Sequence, residues 1–257
     1  LVIFPQDGSE PRVILTGERE RTIVRLPRGT YDAILFNRSF TDFSNLLFTG
    51  KESLKSLEAY AKEVVTRADT RVIVSSPDKL ASATVRNFEV TDDMLGNYAP
   101  PAARGVCPDG ACRMHFTPTP LTRHIRVTLN VKGLHNVREV RCTLNGVPLS
   151  VFLHDGCAGE ELGGQQFTVG NPVFAEGSFT DGRLTGELDV FGFDRSLSHS
   201  IALKALLVDG KTVVEQMLTD ITVEEETDSA GNIMLFIDAS VPETFPDVKP
   251  EGGSDSG

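Results

Sequence analysis

Tryptophan is absent from the 257 residues, and tyrosine occurs only as Tyr31, Tyr60 and Tyr98, beside 15 phenylalanines. Sugar-binding sites favour flat rings with a polar edge, so this aromatic set weighs against a lectin or a glycosidase. Cations are also scarce. Lys and Arg number 25 against 36 Asp and Glu, a net charge of −11. No basic field exists to displace counterions from phosphates, so no nucleic-acid partner is expected. No apolar run approaches the roughly 20 residues of a bilayer-spanning helix. A nucleophile elbow, a phosphate-binding loop, a dinucleotide glycine fingerprint and an HExxH motif are all missing. His115, His124, His135, His154 and His199 are scattered, with no pair at the helical i, i+4 spacing of a metal site. The acidic groups at Asp92-Asp93, Glu160-Glu161 and Glu224-Glu225-Glu226 lack the alternating ligands and central glycine of a calcium loop. They read as solvated surface charge. No catalytic residue, metal or cofactor is therefore assigned, and the expectation is a protein that is not an enzyme. Paired carboxylates for glycoside hydrolysis would be set by the fold and are not readable from spacing.

What is present is strand. An apolar fraction of 40% supports real cores, and the length suggests two domains. Ile125, Val127, Leu129 and Val131 alternate with polar residues, as a half-buried strand requires. Val140, Cys142 and Leu144 repeat the pattern, and Asn145-Gly146 then predicts a hairpin into Leu149, Val151 and Leu153. Further strands are expected over Leu184 to Val190, Ile201 to Leu207, Thr212 to Val214 and Ile233 to Ile237. In the first half, Val2 to Phe4, Val13 to Leu15, Thr22 to Leu26, Tyr31 to Phe36, Arg71 to Val74 and Val85 to Val90 read likewise. Thr49-Gly50-Lys51-Glu52 has capping-box spacing, and Leu54, Leu57, Ala61 and Val64 predict one short crossover helix. Gly163-Gly164 reads as part of a polar loop. His154 falls on the outward phase of its strand.

A Pro- and Gly-rich stretch from Gly96 leads to a short strand, Arg113 to Phe116, and then to Thr117-Pro118-Thr119-Pro120. Prolines cannot donate to a central ladder, so the boundary falls here. The expected domains are 1–118 and 119–241, followed by a flexible acidic Gly/Ser/Pro tail over 242–257. The opening Leu1 to Phe4 is too short for a signal-peptide core. It reads as a strand whose upstream sequence, with any export signal, has been removed.

Four cysteines remain. Cys107 and Cys112 flank a Pro-Asp-Gly turn that brings their ends close enough for a disulfide, though free thiols fit equally. Cys142 lies on the inward phase of its strand, where a buried inert thiol is the simpler account. A Cys142–Cys157 bridge would need extra bending of the expected hairpin, and the spacing of all four is looser than a zinc ribbon.

Leu26-Pro27-Arg28-Gly29-Thr30-Tyr31-Asp32-Ala33-Ile34-Leu35-Phe36-Asn37 resembles a strand motif of the fimbrillin-like proteins of Bacteroidales. Val2 to Gly8 resembles the strand preceding it in that family. Pro118 to Thr122, with the strand ending Val131-Lys132-Gly133-Leu134, resembles the start of its second domain. The order and spacing match over most of residues 1–240, and the similarity is to a branch of surface lipoproteins of unknown function. The resemblance implies two tandem transthyretin-like β-sandwiches, export by a lipoprotein signal and display at the cell outer membrane. Membrane attachment would run only through a lipid anchor upstream of Leu1. It also implies partners: other pilus subunits joined by strand addition, or ligands on host or bacterial surfaces. Shaft, tip, anchor and stand-alone adhesin all fit. The alternative is a glycan-binding surface lipoprotein of a nutrient-uptake system, with Tyr98 and exposed phenylalanines on a concave face.

Overall fold

The computed structural model describes residues 1–18, 20–64, 72–92, 94, 113–227, 229 and 233–251. Among the described residues the named elements are seventeen strands and the 3-10 turn Leu134–Asn136. The chain divides into two units that are not contiguous in sequence. The first comprises 1–60, 79–121 and 151–157; the second comprises 61–78, 122–150 and 158–257. The contiguous ranges expected from sequence are thus crossed by two short segments.

In the first unit, β1 (Val2–Pro5), β2 (Arg12–Val13), β3 (Gly29–Phe36), β7 (Ala81–Val90) and β8 (Thr119–Pro120) form a sheet of order β2-β1-β3-β7-β8. Strand β3 is buried on both faces. Tyr31 and Ala33 point one way, while Ile34 and Phe36 occupy other buried positions. Near the start of β3 the register shifts, so that Arg86 and Asn87 oppose Asp32. Asn87 takes φ 54° there, and its N–H donates to Asp32 Oδ1 at 2.9 Å. A bulge of this kind leaves one backbone group unpaired, and a side chain satisfies it. A second, three-stranded sheet of order β11-β5-β4 joins β4 (Leu46–Thr49), β5 (Glu58–Ala61) and β11 (Ser150–Phe152).

No α-helix occurs among the described residues, and the expected crossover helix is replaced by a turn and a strand. Gly50 has φ +62°, and a Cβ there would collide with the Ser56 carbonyl. Ser56 Oγ donates back to the Gly50 carbonyl at 2.8 Å. Leu57, Ala59 and Ala61 are buried at alternate positions. The spacing of Leu54, Leu57 and Ala61 serves a turn plus a period-two strand as well as it serves a helix, and Ser53 and Ser56 favour the turn. The strands expected at Thr22 to Leu26 and Arg113 to Phe116 are irregular segments. Val24, Leu26, Met114 and Phe116 still pack, half-buried, against Ile3, Tyr31, Ala33 and Val90.

In the second unit the sheet path runs β15-β14-β10-β12-β13-β9-β17-β16. The strands are β9 (Arg123–Val131), β10 (Val137–Pro148), β12 (Leu162–Phe174), β13 (Gly182–Val190), β14 (Ser200–Leu207), β15 (Val213–Leu218), β16 (Ile221–Thr227) and β17 (Ile233–Ser240). Strand β6 (Ile73–Ser75) adds in parallel to β12 over Gly164–Gln166. The alternating residues read from sequence on β9, β13, β14 and β17 all enter one core. Only Thr219 and Asp220 separate β15 from β16 at the two ends of the path, so the path wraps around that core.

Two turn expectations fail here for a common reason. Asn145-Gly146 makes no hairpin: β10 continues to Pro148, with Gly146 at φ +84° in a register shift against β12. Gly163-Gly164 lies inside β12, not in a loop. A Cβ on Gly163 would meet Leu149 Cδ2 at 2.6 Å, and one on Gly164 would meet Thr143 Cγ2 at 2.7 Å. These glycines permit a bulge and close strand approach.

The expected flexible tail is docked as far as Glu251. Val241 N–H donates to the Asn130 carbonyl and Phe245 N–H to the Lys132 carbonyl, prolonging the edge beyond β17. Phe245 is only 1% exposed and belongs to the core of the unit. A Cβ on Gly133 would lie 2.5 Å from the Phe245 carbonyl oxygen, so Gly133 at φ +76° leaves room for the strap. Asp247 Oδ1 accepts from Asn136 Nδ2 at 2.9 Å, and Glu251 pairs with Arg138 at 2.9 Å. One large aromatic outweighs the polar composition around it.

Removing the Phe245 ring by Phe245→Ala should cost about 3–5 kcal/mol in urea unfolding followed on the second unit. Hydrogen bonds from Asn136 and His135 hold the Asp247 carboxyl below its ordinary value. A lowered folded value means that its contribution is complete above the unfolded pKa of about 3.9 and is lost as pH falls through the folded value. Asp247→Asn should therefore flatten the fall of stability below about pH 4, as measured by denaturant titration across pH.

Candidate interaction surfaces

Cys107, Cys112 and Tyr98 lie outside the described residues. The other two cysteines are free thiols. Cys142 is buried, and desolvation pushes its pKa up to about 12. Cys157 is exposed; a hydrogen bond to Asp155 and the charge of that carboxylate raise it. A Cys142–Cys157 bridge is thus not formed. Burial pushes the Asp155 carboxyl up, but hydrogen bonds from Cys157 and the charges of His154 and Arg86 outweigh it and leave it below the usual range.

Four of the five histidines meet a local partner. His124 Nδ1 lies 3.1 Å from Asp189 Oδ1 and its Nε2 3.6 Å from Glu187, across the β9–β13 pairing. Arg126 pairs with Glu187 at 3.1 Å. His135 contacts Asp247 in the strap, and His115 is exposed. His154 is not solvent-facing as its strand phase predicts: the side chain is half-buried beside Phe152, with Nε2 3.1 Å from Asp155. His199 stacks on Phe193 with centroids 4.0 Å apart, and its Nε2 meets the Asp194 carbonyl at 2.7 Å. Among the described residues no group of three potential ligands is placed to hold a metal ion. No helix of the described residues is long and apolar enough to cross a membrane.

A free sheet edge offers unpaired backbone donors and acceptors to an incoming strand. In the first unit, β8 pairs only with Ala81 and Ser82 of the ten-residue β7. Among the described residues no strand covers that edge from Ala83 to Val90. Nearby in sequence, Phe36, Phe40, Phe43 and Phe48 form a ring cluster with centroids 4.9 to 6.0 Å apart. Lys51 Nζ sits 4.6 Å from the Phe40 centroid, a cation–π contact.

In the second unit, edge strand β16 is defended. Arg195 Nη2 donates to the Val223 carbonyl at 3.2 Å, so that carbonyl points away from β17. Alternate residues of an antiparallel strand share an edge, so Arg195 occupies a position that an added strand would need. Glu224, Glu225 and Glu226 are all exposed beside it. The acidic run expected as solvated surface charge is thus part of a strand. The alternation of Ile221 and Val223, followed by charges, was the available signal.

The protein-family model described as a domain of unknown function, DUF5119, matches residues 1–167. The chain belongs to the DUF5119 family. No curated protein matches the sequence. The fold of this DUF5119 chain is similar to that of a candidate adhesin from Bacteroides ovatus. That alignment has a TM-score of 0.57 at 16% identity, covering 84% of this chain and 74% of the other. A candidate adhesin from Bacteroides thetaiotaomicron aligns with a TM-score of 0.48 at 13% identity, covering 83% and 69%. The fimbrial anchor protein Mfa2 from Porphyromonas gingivalis gives 0.45 at 11%, covering 92% and 86%. At such identities the likeness is one of fold.

Alkylation separates the two described thiols. Native protein treated with iodoacetamide near pH 8 should be labelled at Cys157 and spared at Cys142, with mass spectrometry as the readout. Asp155→Asn keeps the acceptor for the Cys157 N–H but removes the charge, so it should speed labelling of Cys157.

Proposed function

We propose that this chain is a non-enzymatic structural or adhesion protein of the bacterial cell surface, either a fimbrillin-like pilus subunit or an accessory anchor or tip component. The observation that carries the reading is the fold likeness to the Bacteroides ovatus candidate adhesin over 84% of the chain. The strand motifs at Val2 to Gly8, Leu26 to Asn37 and Pro118 to Leu134 support it independently. In this reading each of the two units is a transthyretin-like β-sandwich, in tandem along the chain apart from the crossing segments 61–78 and 151–157. A lipid anchor upstream of Leu1 holds it at the outer membrane. Its partners are other subunits joined by strand addition, or ligands on neighbouring surfaces. The edge of β7 from Ala83 to Val90, which no strand covers among the described residues, is the natural acceptor for an added strand.

The test is the protein with its native upstream sequence, expressed in a Bacteroidales host. Outer-membrane fractionation, protease shaving of intact cells and immunogold electron microscopy should place it outside the cell and on or beside filaments. Recovery only from the cell interior would overturn the reading, as would a strictly solitary protein without filament or surface association.

A further inference from the structure

In the second unit, β9, which opens the run from residue 122, and β17, which precedes the strap, are direct neighbours. They are parallel, paired residue by residue from His124–Met234 to Asn130–Ser240. A pull on residue 122 draws β9 by its first residue, at the His124 end of this ladder. A pull on the chain after Ser240 draws β17 by its last residue, at the Asn130 end. The two pulls are opposed and run along the strands, so they load the ladder in shear. Its bonds cross from strand to strand, so under shear all of them stretch together. Strands pulled apart from one shared end give up the same bonds one at a time.

Neither strand has a free side along which to slip. β9 also pairs with β13 over nine residues, and β17 with β16 over seven. Both faces oppose sliding as well. Inward, Ile125, Val127, Leu129, Leu235 and Ile237 are buried in the core, and a slip of one residue would turn them outward. Outward, the Arg126 guanidinium lies 5.8 Å from the centroid of the Phe236 ring. Its Nε and Nη2 both donate to Glu187 Oε1 at 3.1 Å, so one row of side chains staples β17, β9 and β13. The strap prolongs the grip, with Val241 and Phe245 donating their N–H groups to the Asn130 and Lys132 carbonyls. A grip beyond Glu251 first peels the strap and then reaches the ladder.

We propose that the second unit is a tension-bearing module, with the parallel β9–β17 ladder as the clamp that resists a pull between residue 122 and the chain after Ser240. Forced unfolding is governed by the barrier to unfolding and not by equilibrium stability. The clamp therefore supplies persistence under tension that a melting temperature does not report. Under such a pull the core stays closed until the ladder gives way as a whole. The inference goes beyond the cell-surface reading and does not rest on it. Resistance to a pull is a property of the isolated chain, so a failed localisation experiment leaves it standing, and its own failure leaves the surface role standing.

Single-molecule force spectroscopy on the full chain tests it. Thiol handles are placed in a Cys107→Ser, Cys112→Ser, Cys157→Ser background, with the buried Cys142 left in place. Handles at Thr122→Cys and Glu243→Cys pull β9 and β17 in shear. Handles at Lys132→Cys and Glu243→Cys pull the same two strands apart from one end. Lys132 and Glu243 are exposed and Thr122 is half-buried, so thermal unfolding of each handle variant should match that of the background. The shear pair should break in a single event at several times the force of the other pair. Arg123→Cys with Glu243→Cys repeats the shear geometry one residue along the strand and should give the same force. Shear rupture at a force equal to or below that of the other pair overturns the proposal. So does a stepwise loss of the β9–β17 ladder in the shear geometry.

Discussion

The second unit depends on one constraint, the two-residue period of strands whose inward side chains all meet in a single core. Ile125, Val127 and Leu129 of β9 share that core with Leu184 and Leu188 of β13 and with Ile201, Leu203 and Ala205 of β14. A one-residue slip of any of these strands would turn its apolar set outward and its charged set inward, so register is fixed by burial. The irregularities fall at Val137/Glu139, Asn145/Val147 and Gly170/Val173. Each inserts a bend where the path must wrap, and two of them carry a residue with positive φ, Gly146 and Asn171. Phe245 then fills the core from outside the strands, which makes the strap part of the fold.

The first unit meets the same constraint with less regular material. The face of β3 carrying Tyr31 and Ala33 is covered by Ile14, Val24, Leu26, Met114 and Phe116, all half-buried and none in a strand. Hydrophobic cover does not need a ladder, but irregular backbone must find other hydrogen-bond partners. Tyr31 shows one such solution, donating its hydroxyl to the Pro27 carbonyl at 2.9 Å. The same burial raises its phenol pKa. Coverage by single residues leaves Leu15 and Ile23 exposed between them.

Legibility in the sequence followed the strength of alternation. Strands β9, β13, β14 and β17 could be read because one face is apolar and the other polar, and β3 because its apolar run Ala33 to Phe36 is buried on both faces. The helix expected after Thr49 failed because three- and four-residue spacings among Leu54, Leu57 and Ala61 do not separate a helix from a turn feeding a strand. Asn145-Gly146 and Gly163-Gly164 were read as turns because glycine marks positive φ and close approach alike, and only neighbouring strands decide which applies. Strand β16 was hidden by its own glutamates, and the docked strap by the prolines and charges around Phe245. Neighbours are equally silent, since β9 and β17 pair across 110 positions and the period of neither strand names the other. The edge of β7 that no strand covers among the described residues likewise has no sequence signal of its own.

The interleaving of the two units bears on how the chain is made. Segment 61–78 leaves the ribosome long before β12, its partner in the second unit, so β6 must wait without a ladder until Gly164–Gln166 arrive. The first unit is equally incomplete until residue 157, because Val151–Cys157 belongs to it. Nascent chains therefore cannot close one domain and then start the next. Each half carries an open seam through much of synthesis, which lengthens the interval in which a chaperone would find the chain unfolded. Cutting the chain near residue 118 would give two fragments that each lack an internal strand or strand-forming segment of their own unit.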